Sequence, residues 1–192
     1  GSHGHTALKG LFFGSVTNAV LAASSKPLLL IRGKSVPSAD SLKVGIAVDG
    51  SPFGVAAVKY FIKHPALFGK NPTVTLIHAV PDMFPTAYQG FGEIPMPNID
   101  AKEIEAMRTG EFEHAVKAAR KLLSKAGVKH TERRLNGSDL GDQIATYARK
   151  ANLDLLLLGS HGRGLLRSAL MGSVATRVAA KCGTPLLLIR RR

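Results

Sequence analysis

The stretch Leu155-Leu156-Leu157-Leu158-Gly159-Ser160-His161-Gly162, followed nine residues later by Gly172-Ser173-Val174, decides how the chain is read. The leucine run has the length and character of a buried strand. Beyond the glycines, Val174, Val178 and Cys182 recur at helical spacing, with Arg177 and Lys181 on another face. The order is therefore strand, glycine-rich loop, helix. Glycine has no Cβ, so such a loop can bring bare backbone N–H groups close to an anion. The helix behind it aims unpaired N–H groups, and roughly half a positive charge, at the same point. This is chemistry suited to phosphate.

Working outward, Leu42 to Val48 reads as a strand closed by Asp49-Gly50-Ser51-Pro52, with Ser51 placed to cap a helix and Pro52 suited to its first turn. Gly54, Ala57, Val58, Phe61 and Ile62 form one face of that helix. Val74 to Val80 is a second aliphatic strand, and the proline- and glycine-rich Pro81 to Asn98 is a loop or lid. Asp100 and Glu103 have the form of a capping box ahead of a long helix with Ile104, Met107, Phe112, Ala115, Ala119, Leu122 and Ala126 at helical period, and Gly127 as its stop. Lys129 to Leu135 is polar enough to lie near a sheet edge. Asn136 to Asp139 turns into a helix bearing Ile144, Ala145 and Ala148, and Pro185 to Ile189 is the last strand. Strands that alternate with helices and are continuously apolar predict a parallel sheet covered on both faces.

Composition narrows the function classes. The 192 residues suffice for one domain with some excess. The single cysteine, Cys182, excludes an internal disulfide and suits a reducing compartment; a cytoplasmic location is expected. The net charge is +13, with no acid before Asp40 and none after Asp154. Such a balance can serve a polyanion. No helix-turn-helix pattern, RNP-type aromatic motif or zinc spacing accompanies it, so nucleic acid is not the expected partner. No apolar run reaches the ~20 residues of a membrane-spanning helix.

Residues 1–32 overlay residues 159–190 without a gap, and 16 of the 32 positions are identical, including the whole PLLLIR strand. Lys9 and Leu11 to Ala23 have the outline of a signal peptide, but the repeat accounts for them better. Only the last third of a unit is duplicated. The expected layout is a partial repeat over 1–33, a linker over 34–40 and a complete domain over 41–192. Arg177 and Lys181 correspond to Ala19 and Ala23, while Val16 and Val20 keep the core stripe. A helix with so little polar surface needs burial on more sides. Residues 14–32 are accordingly expected to pack on the main domain or on a second chain, with Leu28 to Ile31 near the terminal strand.

Taken together, the strand ending Val48-Asp49-Gly50-Ser51, the strand ending Leu76-Ile77-His78-Ala79-Val80 and the Gly159–Ser173 loop resemble a universal stress protein domain, specifically its ATP-binding subgroup. The resemblance covers residues 41–192, and residues 1–33 resemble the closing helix and strand of a second such domain in a tandem member whose first domain is mostly absent. It implies an α/β fold: a five-stranded parallel sheet sandwiched by helices in the flavodoxin-like manner, with the ligand crevice between the first and fourth strands. Carried over by position, Asp49 and the Ala79 backbone would meet the adenine and ribose. Gly159, Gly162, Gly172, Ser173 and Val174 would meet the ribose and phosphates. The resemblance further implies ATP, ADP or AMP, with Mg²⁺ accompanying ATP, and a homodimer through terminal strands and residues 14–32.

Each residue also has a plainer reading. Asp49 has the makings of a turn residue bonding its own backbone. The glycines could be ordinary turn and cap residues, and Ser173 a helix N-cap. Arg163 and Arg167 could clamp phosphates or simply be loop charges. His161, with no partnered nucleophile in view, reads as structural, and His78 as packed at a strand end rather than holding metal. The favoured function is a stress-associated protein that holds an adenine nucleotide as a signal or stabilising ligand. The rivals are a weak ATP-hydrolysing or nucleotidyl-transferring enzyme on the same fold, and a polyanion-binding scaffold.

Overall fold

Apolar runs without alternation must be covered on both faces, and the fold supplies both covers. The computed structural model describes residues 20, 24–31, 41–82, 100–163 and 171–190. Within them, β1 (Leu28–Leu30), β2 (Lys43–Ala47), β3 (Thr73–Pro81), β4 (His130–Gly137), β5 (Leu155–Gly159) and β6 (Leu186–Ile189) form one sheet in the order β1-β6-β5-β2-β3-β4. The helices are α1 (Pro52–Lys63), α2 (Ala101–Lys125), α3 (Leu140–Lys150) and α4 (Ser173–Lys181).

Strands β2 to β6 run parallel, with Val44 beside Val74 and Leu155, and Leu158 beside Leu188. On one face Val44, Ile46, Leu76 and Leu157 bury against Phe61 and Phe68, and against Val116 and Leu123 of α2. On the other, Ile77, Leu156, Leu186 and Leu188 bury against Ile144 and Ala148 of α3, Val178 of α4 and Cys182 just beyond it. Each such leucine or isoleucine removes enough apolar surface to contribute about 1.5–3 kcal/mol. β4, with its alternating partial burial, lies at the edge, as its polarity predicts.

Capping follows the sequence closely. Ser51 Oγ accepts from the Gly54 N–H at 3.3 Å. Asp100 and Glu103 close a reciprocal capping box at the start of α2, and Gly127 follows its end with φ of +70°. Two helical stripes differ from expectation. In α2 the buried positions are Ala115, Val116, Ala119 and Leu123, whereas Met107 is exposed and Leu122 only partly buried. Over 25 residues a helix of 3.6 residues per turn rotates away from a fixed stripe, and only its second half is buried on the sheet. In α4 the buried residues are Ala175, Val178 and Ala179, and the N-cap is Gly172; Ser173 is the first helical residue rather than the cap.

Beside the five parallel strands, Leu28–Leu30 adds a sixth next to the terminal strand, where that segment is expected to pair, so the sheet is mixed rather than purely parallel. β1 lies antiparallel to β6, with Leu28 beside Leu188, Leu29 beside Leu187 and Leu30 beside Leu186. The two copies of the PLLLIR sequence thus pair with each other about a local two-fold at Leu29 and Leu187. Leu28 and Leu30 pack on the same face as Leu186 and Leu188. Val20, placed on a core stripe by the repeat, is exposed. The remainder of the proposed N-terminal helix, Arg167 and residues 83–98 of the proposed lid lie outside the described residues.

Candidate functional site

The sheet order reverses between β2 and β5, so the loops leaving their carboxyl ends diverge and open a crevice. A cavity of about 590 Å³ occupies that place. Asp49, Ala79, Gly159, Gly162, Gly172, Ser173 and Val174, the residues singled out by spacing, all line it, as does Arg163. Its wall on the α3 and α4 side is apolar, built from Ala47, Leu140, Ile144, Leu158, Met171 and Val174. Across the strand ends, the wall on the α1 and α2 side holds Asp49, His78, Glu111 and Arg163. One face thus offers a slot for a flat apolar body, while the other carries charge.

The glycines are explained by close approach. A Cβ on Gly159 would stand 2.6 Å from Phe53 Cβ and 2.8–2.9 Å from the Phe53 carbonyl group, which belongs to the backbone of α1. A Cβ on Gly162 would stand 2.6 Å from Asp49 Oδ2. A side chain at Gly159 would force the loop away from α1, and one at Gly162 would have to displace the Asp49 carboxylate. At its far end, the loop delivers Gly172 and Ser173 to the first turn of α4, whose leading N–H groups have no helical acceptors.

Asp49 makes the turn bond of the plainer reading and a second bond across the crevice. Its Oδ1 accepts the Ser51 N–H at 3.0 Å, the turn bond of the plainer reading, and its Oδ2 accepts the Arg163 N–H at 3.0 Å from across the crevice. Arg163 returns the contact, donating from Nε to the Asp49 carbonyl and from Nη1 to Glu111 Oε1 at 2.5 Å. Its guanidinium is therefore engaged at the crevice wall. These bonds staple the glycine loop to the end of β2 and to α2.

His78 is the neighbour that spacing did not assign to the site. Its side chain is 7% exposed, and Nδ1 lies 2.7 Å from the Val48 carbonyl oxygen. A carbonyl only accepts, so Nδ1 carries the hydrogen and the neutral ring has its lone pair on Nε2. Nε2 is buried without a hydrogen-bond partner, 3.6 Å from Glu111 Oε1. Burial holds the imidazole below its ordinary value; the Val48 bond, Glu111 and Asp49 pull it upward, and Arg163 pushes it down. His161 stands in the crevice with its ring 5.3 Å from that of Phe53 and Nδ1 3.0 Å from Ser160 Oγ, a packed position consistent with a structural role. No cluster of three metal-ligating side chains occurs among the described residues.

Away from the crevice much of the charge is paired. Arg177 and Lys181 of α4 reach Asp139 and Asp142 at the start of α3, at 2.7 and 2.6 Å. The backbone N–H of Asp142, then Arg177 and Lys181, hold the Asp139 carboxyl below its ordinary range. Arg120 joins Glu113 and Glu132, and keeps the Glu132 carboxyl low. No helix among the described residues is long and apolar enough to cross a membrane.

A universal stress protein from Mycolicibacterium smegmatis is 28% identical over the whole of this chain, which spans 60% of that relative's length. A universal stress protein structure from Archaeoglobus fulgidus superposes with a TM-score of 0.65 at 18% identity, over all of this chain and 61% of the other. A universal stress protein family member from Arabidopsis thaliana, solved with AMP bound, superposes with a TM-score of 0.53 at 16% identity, over 79% of this chain and 92% of the other. The model of the universal stress protein family matches residues 1–32 and 42–190, and with that coverage the chain belongs to the universal stress protein family.

Proposed function

We propose that the crevice between β2 and β5 binds an adenine nucleotide, ATP, ADP or AMP, with Mg²⁺ accompanying ATP, as a signal or stabilising ligand in a stress response. One observation carries the reading: Asp49, Ala79, Gly159, Gly162, Gly172, Ser173 and Val174, spread over three strand ends and a helix start, line a single cavity. The apolar wall suits a purine ring beside the Ala79 backbone. The first turn of α4 at Gly172 and Ser173 suits phosphates. Asp49 already accepts two N–H bonds, and a carboxylate has about four acceptor positions, so it can bond a ribose or base as well. The AMP-bound relative supports an adenine nucleotide over other anions.

The same reading treats residues 1–32 as the closing part of a preceding repeat, supported by the 16 identities and by the separate family match over those residues. A homodimer formed through the sheet would use the outer edge of β1, because β1 already occupies that of β6.

The test is a thermal melt with and without ATP–Mg²⁺ and AMP. A ligand that binds only the folded state at a hundredfold excess over Kd adds about 2.7 kcal/mol. For a domain of this size that is roughly 5–10 °C in Tm. The Gly159→Val variant, compared with its own ligand-free melt, should show no shift. Absence of a shift in the unaltered chain with every nucleotide would overturn the reading.

A further inference from the structure

Glu111 stands between Arg163 and the neutral ring of His78, and only Arg163 is engaged. On one side Arg163 Nη1 donates to Oε1 at 2.5 Å; on the other, His78 Nε2 faces the same oxygen at 3.6 Å. With Nδ1 committed to the Val48 carbonyl, Nε2 presents a lone pair to a carboxylate. Two acceptors at this distance repel, and the buried lone pair has no donor. In this arrangement Arg163 neutralises Glu111. Arg163 also lines the nucleotide crevice and is about two-fifths exposed, so an anion in that crevice can reach it.

We propose that Glu111 is a counter-ion that changes partners: a phosphate entering the crevice takes Arg163, and the released carboxylate takes a protonated His78. The proposal rests on the crevice being a nucleotide site. Its physical basis is charge balance. In the ligand-free state one cation and one anion pair beside a neutral ring. When a phosphate takes the cation, Glu111 is left as an uncompensated charge beside a buried imidazole, and a proton on Nε2 from solvent restores both the charge and the missing hydrogen bond. Burial is the largest influence holding the proton off the ring; of the charged groups facing it, Glu111 from α2 and Asp49 from the end of β2 favour the proton, and Arg163 from the loop after β5 opposes it. Removing the opposing cation therefore favours protonation. Because the coupling is reciprocal, phosphate-bearing ligands bind more tightly as pH falls through the titration of His78, by up to tenfold per pH unit.

Calorimetric titration of the full chain with ADP, in two buffers of different protonation enthalpy at pH 7, counts the protons taken up on binding. The nucleotide's own phosphate contributes equally in every variant, so the comparison between variants carries the result. The unaltered chain should take up more protons per ADP than His78→Asn, which keeps the donor to Val48 and loses the Nε2 acceptor. Glu111→Gln should lose the same increment, and serves alone if His78→Asn does not fold. Adenosine, lacking phosphate, should show no uptake. Equal uptake in the unaltered chain and in Glu111→Gln, with ADP still bound, overturns the exchange but leaves the nucleotide site standing. Failure of the unaltered chain to bind any adenine nucleotide overturns both.

Discussion

The segments Pro27–Ile31 and Pro185–Ile189 have the same sequence, pair with each other and live in different surroundings. In the later copy Leu186, Leu187, Leu188 and Ile189 are each at most 7% exposed, because β6 has a strand on either side and a core on both faces. In the earlier copy Leu29 is 50% and Ile31 38% exposed. β1 is an edge strand with one face against the core beside α4 and Leu29 half exposed on the other. Five identical residues make a central strand in one place and a border in the other. Propensity and pattern are equal, so position in the sheet alone accounts for the difference.

The comparison breaks most readily at the leucines. Leu188→Ala, at a fully buried position, should cost about 2–5 kcal/mol in a urea unfolding curve. Its counterpart Leu30→Ala, half-buried on β1, should cost less than half of that. Equal losses would mean that β1 is as deeply integrated as β6.

The glycine loops sharpen the same contrast at the level of binding. A side chain at Gly162 collides with Asp49, so Gly162→Val should weaken AMP binding by more than tenfold, about 1.4 kcal/mol. The corresponding change in the first copy, Gly4→Val, should leave affinity unchanged, because among the described residues the glycines that line the crevice come from the second copy. Equilibrium titration of both variants decides the matter, and a matching loss in Gly4→Val would assign the first copy to the site. The smallest effect belongs to the half-exposed Leu29: Leu29→Lys should change unfolding free energy by no more than about 0.5 kcal/mol, measured alongside the parent. A larger loss would show that Leu29 is covered in solution, and sedimentation would then reveal whether a second chain covers it.

The crevice was legible where its residues are close in sequence or carry a backbone constraint. Gly159, Gly162 and Gly172 approach Phe53, Asp49 and neighbouring backbone closely, and such approaches leave a spacing that can be read. Asp49 was legible because it ends an apolar strand. Glu111 left no such trace. It lies in the middle of α2 among other charged residues, and only the packing of α2 beside β3 brings it to His78 and Arg163. His78 read as a packed strand residue, which it is; its unpaired Nε2 becomes visible only when every neighbour is placed. Arg163 shows the limit from the other side: its loop position suggests a phosphate contact, and only the structure shows that its guanidinium also bonds Asp49 and Glu111.

By itself the amino-acid sequence determined the order of strands and helices, the capped ends of α1 and α2, the glycine loop and the repeat that ties residues 1–32 to residues 159–190. These are local properties, set by side-chain period, backbone freedom and hydrogen bonds over a few residues. The tertiary structure alone decided that β1 and β6 pair antiparallel, that one copy of PLLLIR is core and the other border, and that Glu111 stands between Arg163 and His78. Those outcomes depend on burial and on charges brought together from distant parts of the chain, and neither is a property of any short stretch of sequence.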